Sequence, residues 1–70
     1  MISFDKQIYC NAAVIQACED YRQLADIRYF ENKTQILCEI NNPQADPELI
    51  TNEFCNYVLN LTVMMGGTTN

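Results

Sequence analysis

Seventy residues, 49% of them apolar, suffice for one domain with a small core; folding at this length hides only about 60% of the unfolded chain's surface, so a disulfide, a metal or a partner is expected to lend support. Nine acidic residues against four basic ones give a net charge of −5, which disfavours nucleic acid or an anionic membrane surface and favours a protein partner with a basic patch. With no histidine, four dispersed cysteines and no glycine-rich loop, the chain lacks the usual groups for general-base, metal or phosphate chemistry, so it reads as a binding protein and not as an enzyme.

The first segment, Ile2 to Tyr9, alternates: Ile2, Phe4 and Ile8 fall on one face, and Ser3, Asp5 and Gln7 on the other, the period of a half-buried strand. Lys6 interrupts the apolar face, as expected of an edge strand whose inward lysine leads its stem to water. Neither this stretch nor the apolar run Val58 to Met65 has the length or flanks of a signal peptide or a membrane span, so a cytoplasmic protein is expected.

From Asn11 to Leu24 the period becomes helical. Ala13, Val14, Ala17, Cys18, Tyr21 and Leu24 recur at steps of three and four, with Gln16, Glu19, Asp20 and Gln23 opposite and Asn11 as the expected N-cap. Two alternating runs follow, Ala25 to Glu31 and Thr34 to Asn41, joined at Asn32-Lys33; asparagine tolerates a left-handed backbone, so these form a hairpin. Paired asparagines and Pro43 make a loop of 41–45. Asp46 then caps a helix, Pro47 fits its first position and Glu48 suits the positive end of its dipole. Its apolar stripe is Ile50, Phe54, Tyr57, Val58, Leu61 and Met65, its polar side holds Asn52, Asn56 and Asn60, and Gly66-Gly67 stops it. The domain is expected to occupy 1–67, with 68–70 a frayed tail.

The order strand, helix, strand, strand, helix predicts an α+β fold: a β-α-β-β-α split unit, ferredoxin-like but lacking the fourth strand, with the sheet ordered 1-3-2 and both helices on one face. The covered face would carry Ile2, Phe4, Ile8, Ile27, Tyr29, Ile36, Cys38 and Ile40. The other face, bearing Ser3, Asp5, Gln7, Arg28, Phe30, Gln35, Leu37 and Glu39, is left without a cover and is the candidate partner-binding surface, with Phe30 and Leu37 on neighbouring strands as its anchors. A wet sheet face with scattered apolar residues is the plainer reading of the same pattern.

Chemistry finds few candidates. Cys10, Cys18, Cys38 and Cys55 form no Cys-x-x-Cys unit, and a zinc site would need all four converging; two disulfides are permitted by the count, but free thiols packed as small core hydrophobes are expected. Glu19 and Asp20 diverge by about 100° on their helix and belong to a solvated face. Glu53 has no neighbouring base. The four tyrosines are expected at the core or its rim, with hydroxyls reaching water or a backbone carbonyl. No metal, cofactor or catalytic residue is assigned.

The stretches Ile8-Tyr9-Cys10-Asn11-Ala12-Ala13-Val14-Ile15-Gln16-Ala17 and Asn52-Glu53-Phe54-Cys55-Asn56-Tyr57-Val58-Leu59 resemble the small D-type proteins of the His-Xaa-Ser peptide-modification systems, and more loosely other short accessory proteins found beside radical SAM peptide maturases. The likeness spans nearly the whole chain. It rests on a tyrosine closing the first strand (Tyr9), an alanine-spaced helix (Ala13, Ala17) and a cluster opening the last helix (Glu53, Phe54, Asn56); the chain departs from the family at Cys10, where proline is usual, and at Met64-Met65-Gly66, where an arginine is usual. The resemblance implies a non-catalytic accessory subunit that binds a radical SAM enzyme and helps to hold its precursor peptide, any iron–sulfur cluster belonging to the enzyme. A second copy of the chain is a further candidate partner. From composition alone, a small acidic inhibitor or decoy occupying a basic site on a larger protein is the alternative, and a redox or metal protein using the cysteines a more distant one.

Overall fold

The computed structural model of the protein describes residues 1–66. Five elements follow in order: β1 (Ile2–Asp5), α1 (Asn11–Asp20), β2 (Asp26–Glu31), β3 (Gln35–Asn41) and α2 (Pro47–Met64). The expected topology is the observed one: an antiparallel sheet ordered β1-β3-β2, in which β3 pairs with β1 from Ile2 opposite Cys38 to Asp5 opposite Gln35, and with β2 from Asp26 opposite Asn41 to Glu31 opposite Ile36. The chain is an α+β fold of β-α-β-β-α order. Gly67 and the expected tail, 68–70, lie outside the described residues.

One core joins both helices to a single face of the sheet. Phe4, Ile36 and Cys38 from the sheet meet Val14, Ala17 and Cys18 of α1 and Phe54 and Val58 of α2, with Ile2, Ile27 and Ile40 half-buried around them. Phe54 sits at the centre, edge-on to Phe4 with ring centroids 6.0 Å apart and to Tyr21 at 5.4 Å. Ala13 and Ala17 are fully enclosed, and their small side chains let α1 lie close against its neighbours.

Helix α2 starts as its sequence dictates: the Asp46 carboxylate accepts the Glu48 N–H at 3.1 Å, Pro47 occupies the first position, and Glu48 is the acid of the first turn. It ends at Met64, with Met65 as its C-cap, and the chain turns away at Gly66, whose φ of +89° is a conformation that side chains with a Cβ rarely adopt.

Five local expectations are corrected. β1 ends at Asp5 and not at Tyr9, because its partner β3 begins at Gln35, opposite Asp5, and beyond that point only the Lys6 N–H finds the hairpin, at Thr34 O. The chain turns there instead: the Asp5 carboxylate accepts the Gln7 N–H at 2.8 Å and the Asp5 carbonyl accepts from Ile8 and Tyr9. Ile8 is consequently 58% exposed, outside the core face to which its parity assigned it. Lys6 itself forms an ion pair with Glu31 at 3.2 Å.

Helix α1 stops at Asp20, four residues early, since Ala25 must be enclosed and Asp26 must begin pairing with Asn41; the Leu24 N–H and the Ala25 N–H both fold back onto the Tyr21 carbonyl, and Leu24 is largely exposed. Its N-cap is Cys10, which supplies no side-chain acceptor, and Asn11 is already helical. In the hairpin, Asn32 does not use a left-handed backbone: its side-chain oxygen accepts from the Thr34 and Gln35 N–H groups at 2.9 and 2.7 Å. The left-handed asparagine is Asn42, with φ 50°, at the end of β3. Finally, Met65 drops out of the buried stripe of α2 and Thr62 enters it.

Candidate functional site

The register places the uncovered face in cross-strand rows. Ser3, Leu37 and Phe30 stand side by side across the middle of the sheet, Asp5 and Gln35 form the row toward the hairpin, and Arg28 and Glu39 the row on the other side. None of these seven side chains is buried, and Phe30 is 49% exposed. Period-two alternation puts them there: each is the strand neighbour of a residue that faces the helices. The eighth expected member, Gln7, is not on the sheet, because the strand has already turned at Asp5. Glu39 is steadied by the Asn41 side-chain amide, which donates to it at 3.0 Å. The result is a shallow strip with an aromatic and a leucine at its middle and polar side chains of both signs at its margins. Strands β1 and β2 are the sheet's edges.

A cleft elsewhere on the molecule was not legible in the sequence. Lys6, Lys33, Tyr9, Asn11 and Thr34 line a cleft of about 510 Å³ at the turn after β1, which brings two of the four basic residues of an acidic chain to one place. No spacing announces it, since its two sides, 5–11 and 33–34, meet through the pairing of Asp5 with Gln35 and the bond from the Lys6 N–H to Thr34 O.

The acids expected on a solvated surface are exposed, but two of them are engaged. Asp20 accepts hydrogen bonds from Gln16 and from the Tyr57 hydroxyl, and Glu19 pairs with Arg22 at 3.0 Å. The bond to Asp20 holds the Tyr57 phenol above its ordinary value, and burial does the same for Tyr21, reinforced by the charge of Glu53. Tyr57 thus reaches a carboxylate instead of a backbone carbonyl, and ties the end of α1 to α2.

All four cysteines are free thiols, two buried and two half-buried. Cys18 on α1 and Cys38 on β3 belong to the same core cluster; the hydrogen-bonding influence of Cys18, together with burial, pushes Cys38 well above the ordinary thiol value, and that of Cys38 holds Cys18 below it. Burial also raises Cys55. Among the described residues no three side chains of histidine, cysteine, aspartate or glutamate converge as a metal-ligand set.

Comparison with protein-family models, with curated proteins and with solved structures gives no match for this chain. The residues that carry the family resemblance divide by environment. Ala13, Ala17 and Phe54 are enclosed in the core, and Tyr9 packs edge-on against Phe4 at 5.0 Å, while Glu53 and Asn56 stand exposed on α2. Among the described residues no helix is long and apolar enough to cross a membrane.

Proposed function

We propose that the chain is a non-catalytic accessory subunit that binds a radical SAM peptide-modifying enzyme and helps to hold the precursor peptide. The observation that carries the reading is the row of Ser3, Leu37 and Phe30 across the uncovered sheet face, where a half-exposed aromatic ring lies beside a leucine. The exposed Phe30 ring is of a residue type enriched at interface centres, and Arg28, Gln35 and Glu39 give it polar surroundings. The two edge strands flank the row, and an extended peptide can add to such an edge through its backbone while alternate side chains give selectivity. The surface argues for a partner; the family resemblance supplies its kind.

Co-expression of the tagged chain with a radical SAM maturase encoded beside it tests the proposal. Phe30→Asp combined with Leu37→Asp should weaken co-purification tenfold or more, since each anchor of this kind contributes about 1–2 kcal/mol, while circular dichroism shows the fold retained. Undiminished association of the double variant would remove this face from consideration.

A further inference from the structure

The two margins of the sheet are unequal. β1 has four residues and its chain turns away at Asp5, whereas β2 has six, with no proline or lysine to blunt its open side. All of β2 but Ile27 is exposed, and Tyr29 and Phe30, on opposite faces, keep 45% and 49% of their surface. Tyr29 is paired with the core residue Cys38 and so points to the helix side; its exposure means that the helix layer stops short of this strand and leaves room beside it. Among the described residues Arg28 has no ion-pair partner.

Two bonds at the hairpin fix which backbone groups of β2 are open. The Asn32 N–H donates to Gln35 O, and bonded pairs alternate along an antiparallel ladder, so Phe30, Arg28 and Asp26 bond to β3 while Glu31, Tyr29 and Ile27 turn their N–H and C=O groups outward. The bond from the Lys6 N–H to Thr34 O agrees: it gives Ile36 and Cys38 to β1 and leaves Gln35, Leu37 and Glu39 for β2. We propose that β2 pairs antiparallel with β2 of a second copy about a two-fold axis through Tyr29, making one continuous sheet from two. In this register Tyr29 lies opposite its own copy and Ile27 opposite Glu31 on either side, the residues whose backbone groups are open. Arg28 falls opposite Phe30 at the unbonded positions, where strands approach most closely, so each copy sets its guanidinium against the other's exposed ring. No like charges meet: Asp26 faces Asn32, and the Lys6 ion pair already offsets Glu31. An axis at Arg28 would oppose two guanidinium groups, and one at Phe30 would carry Ile27 past the strand end to Lys33. The pairing does not rest on the accessory role, leaves the β1 margin open, and is tested on the chain alone.

Sedimentation equilibrium should show a monomer–dimer equilibrium. As concentration rises through it, amide exchange at Ile27, Tyr29 and Glu31 should slow about tenfold more than at Arg28 and Phe30, which are already bonded to β3. In a mixture of labelled and unlabelled chains, an isotope-filtered NOE should join the Hα of Arg28 to that of Phe30 in the second copy. Tyr29→Pro removes the N–H at the axis and no bond to β3, so it should give a folded monomer; Arg28→Gln should raise the dimer dissociation constant about fivefold or more. A chain still monomeric at millimolar concentration, a dimer in which the outward amides gain no extra protection, an NOE joining Phe30 to Phe30, or a folded Tyr29→Pro chain that dimerises like the wild type would each overturn the proposal. Should Tyr29→Pro fail to fold, exchange and NOE in the wild-type chain decide.

Discussion

Thr62 is the buried polar side chain of the described core, 3% exposed on a helix face otherwise made of Ile50, Phe54 and Val58. Its hydroxyl oxygen accepts the Cys10 N–H at 3.2 Å, and so satisfies a backbone donor just before α1 from a position 52 residues away. Thr62→Val keeps the shape and removes the acceptor, which should lower the unfolding free energy by about 1–3 kcal/mol in a urea titration; Thr62→Ser should retain most of it. The steps of four from Ile50 to Thr62 were readable in the sequence. What hid Thr62 was its residue type, which made it look like a break in the stripe, since the donor it serves lies in a distant loop. Cys10 was obscured in the same way: Asn11 is the better capping residue, but the helix begins one position earlier.

The two helices show how unequally local sequence determines an element. The start of α2 is written in Asp46-Pro47-Glu48, and Asp46→Ala should cost about 1 kcal/mol of stability in chemical denaturation. Asn11→Ala, by contrast, should change stability by less than about 0.5 kcal/mol, because Asn11 is exposed and its side chain caps nothing. Every strand and helix was recognisable from its period, and the order of the sheet from the crossover rule and the hairpin. The ends that were missed, at Asp5 and Asp20, are set by where a partner strand stops or must begin, and periodicity holds no record of that. The candidate face was readable for the same reason that its far member failed: alternation assigns faces while a strand lasts, so Phe30 and Leu37 are neighbours and Gln7 is off the sheet, but it does not fix cover, and Tyr29, expected on the covered face, is 45% exposed on the edge strand β2.

At the scale of the whole molecule, the titrating groups with shifted values bear mainly on alkaline conditions. Cys38, Cys55, Tyr21 and Tyr57 are all held above their ordinary values of 9.0 for thiols and 10.0 for phenols. The unfolded chain therefore releases these protons at lower pH than the native one, so the stability they contribute is fully present below pH 9.0 and is lost as pH rises through the thiol range and then the phenol range. Cys18, held below its ordinary value, opposes this as a single group against four. Thermal melts should shift to lower temperature from about pH 9 upward, and Tyr57→Phe should flatten the upper part of that slope. A melting temperature constant across the range would contradict the shared direction of these shifts.

The middle strand of the sheet is also the last of the three to be synthesised. Ile2–Asp5 and Asp26–Glu31 leave the ribosome ahead of the segment with which both pair, Gln35–Asn41. Ile2–Asp5 must therefore wait, unpaired, until Gln35–Asn41 has been made. A nascent chain that stops short of Gln35 holds two margins and no middle, and the layer that carries Phe30 and Leu37 comes into being only when its centre slots in between them.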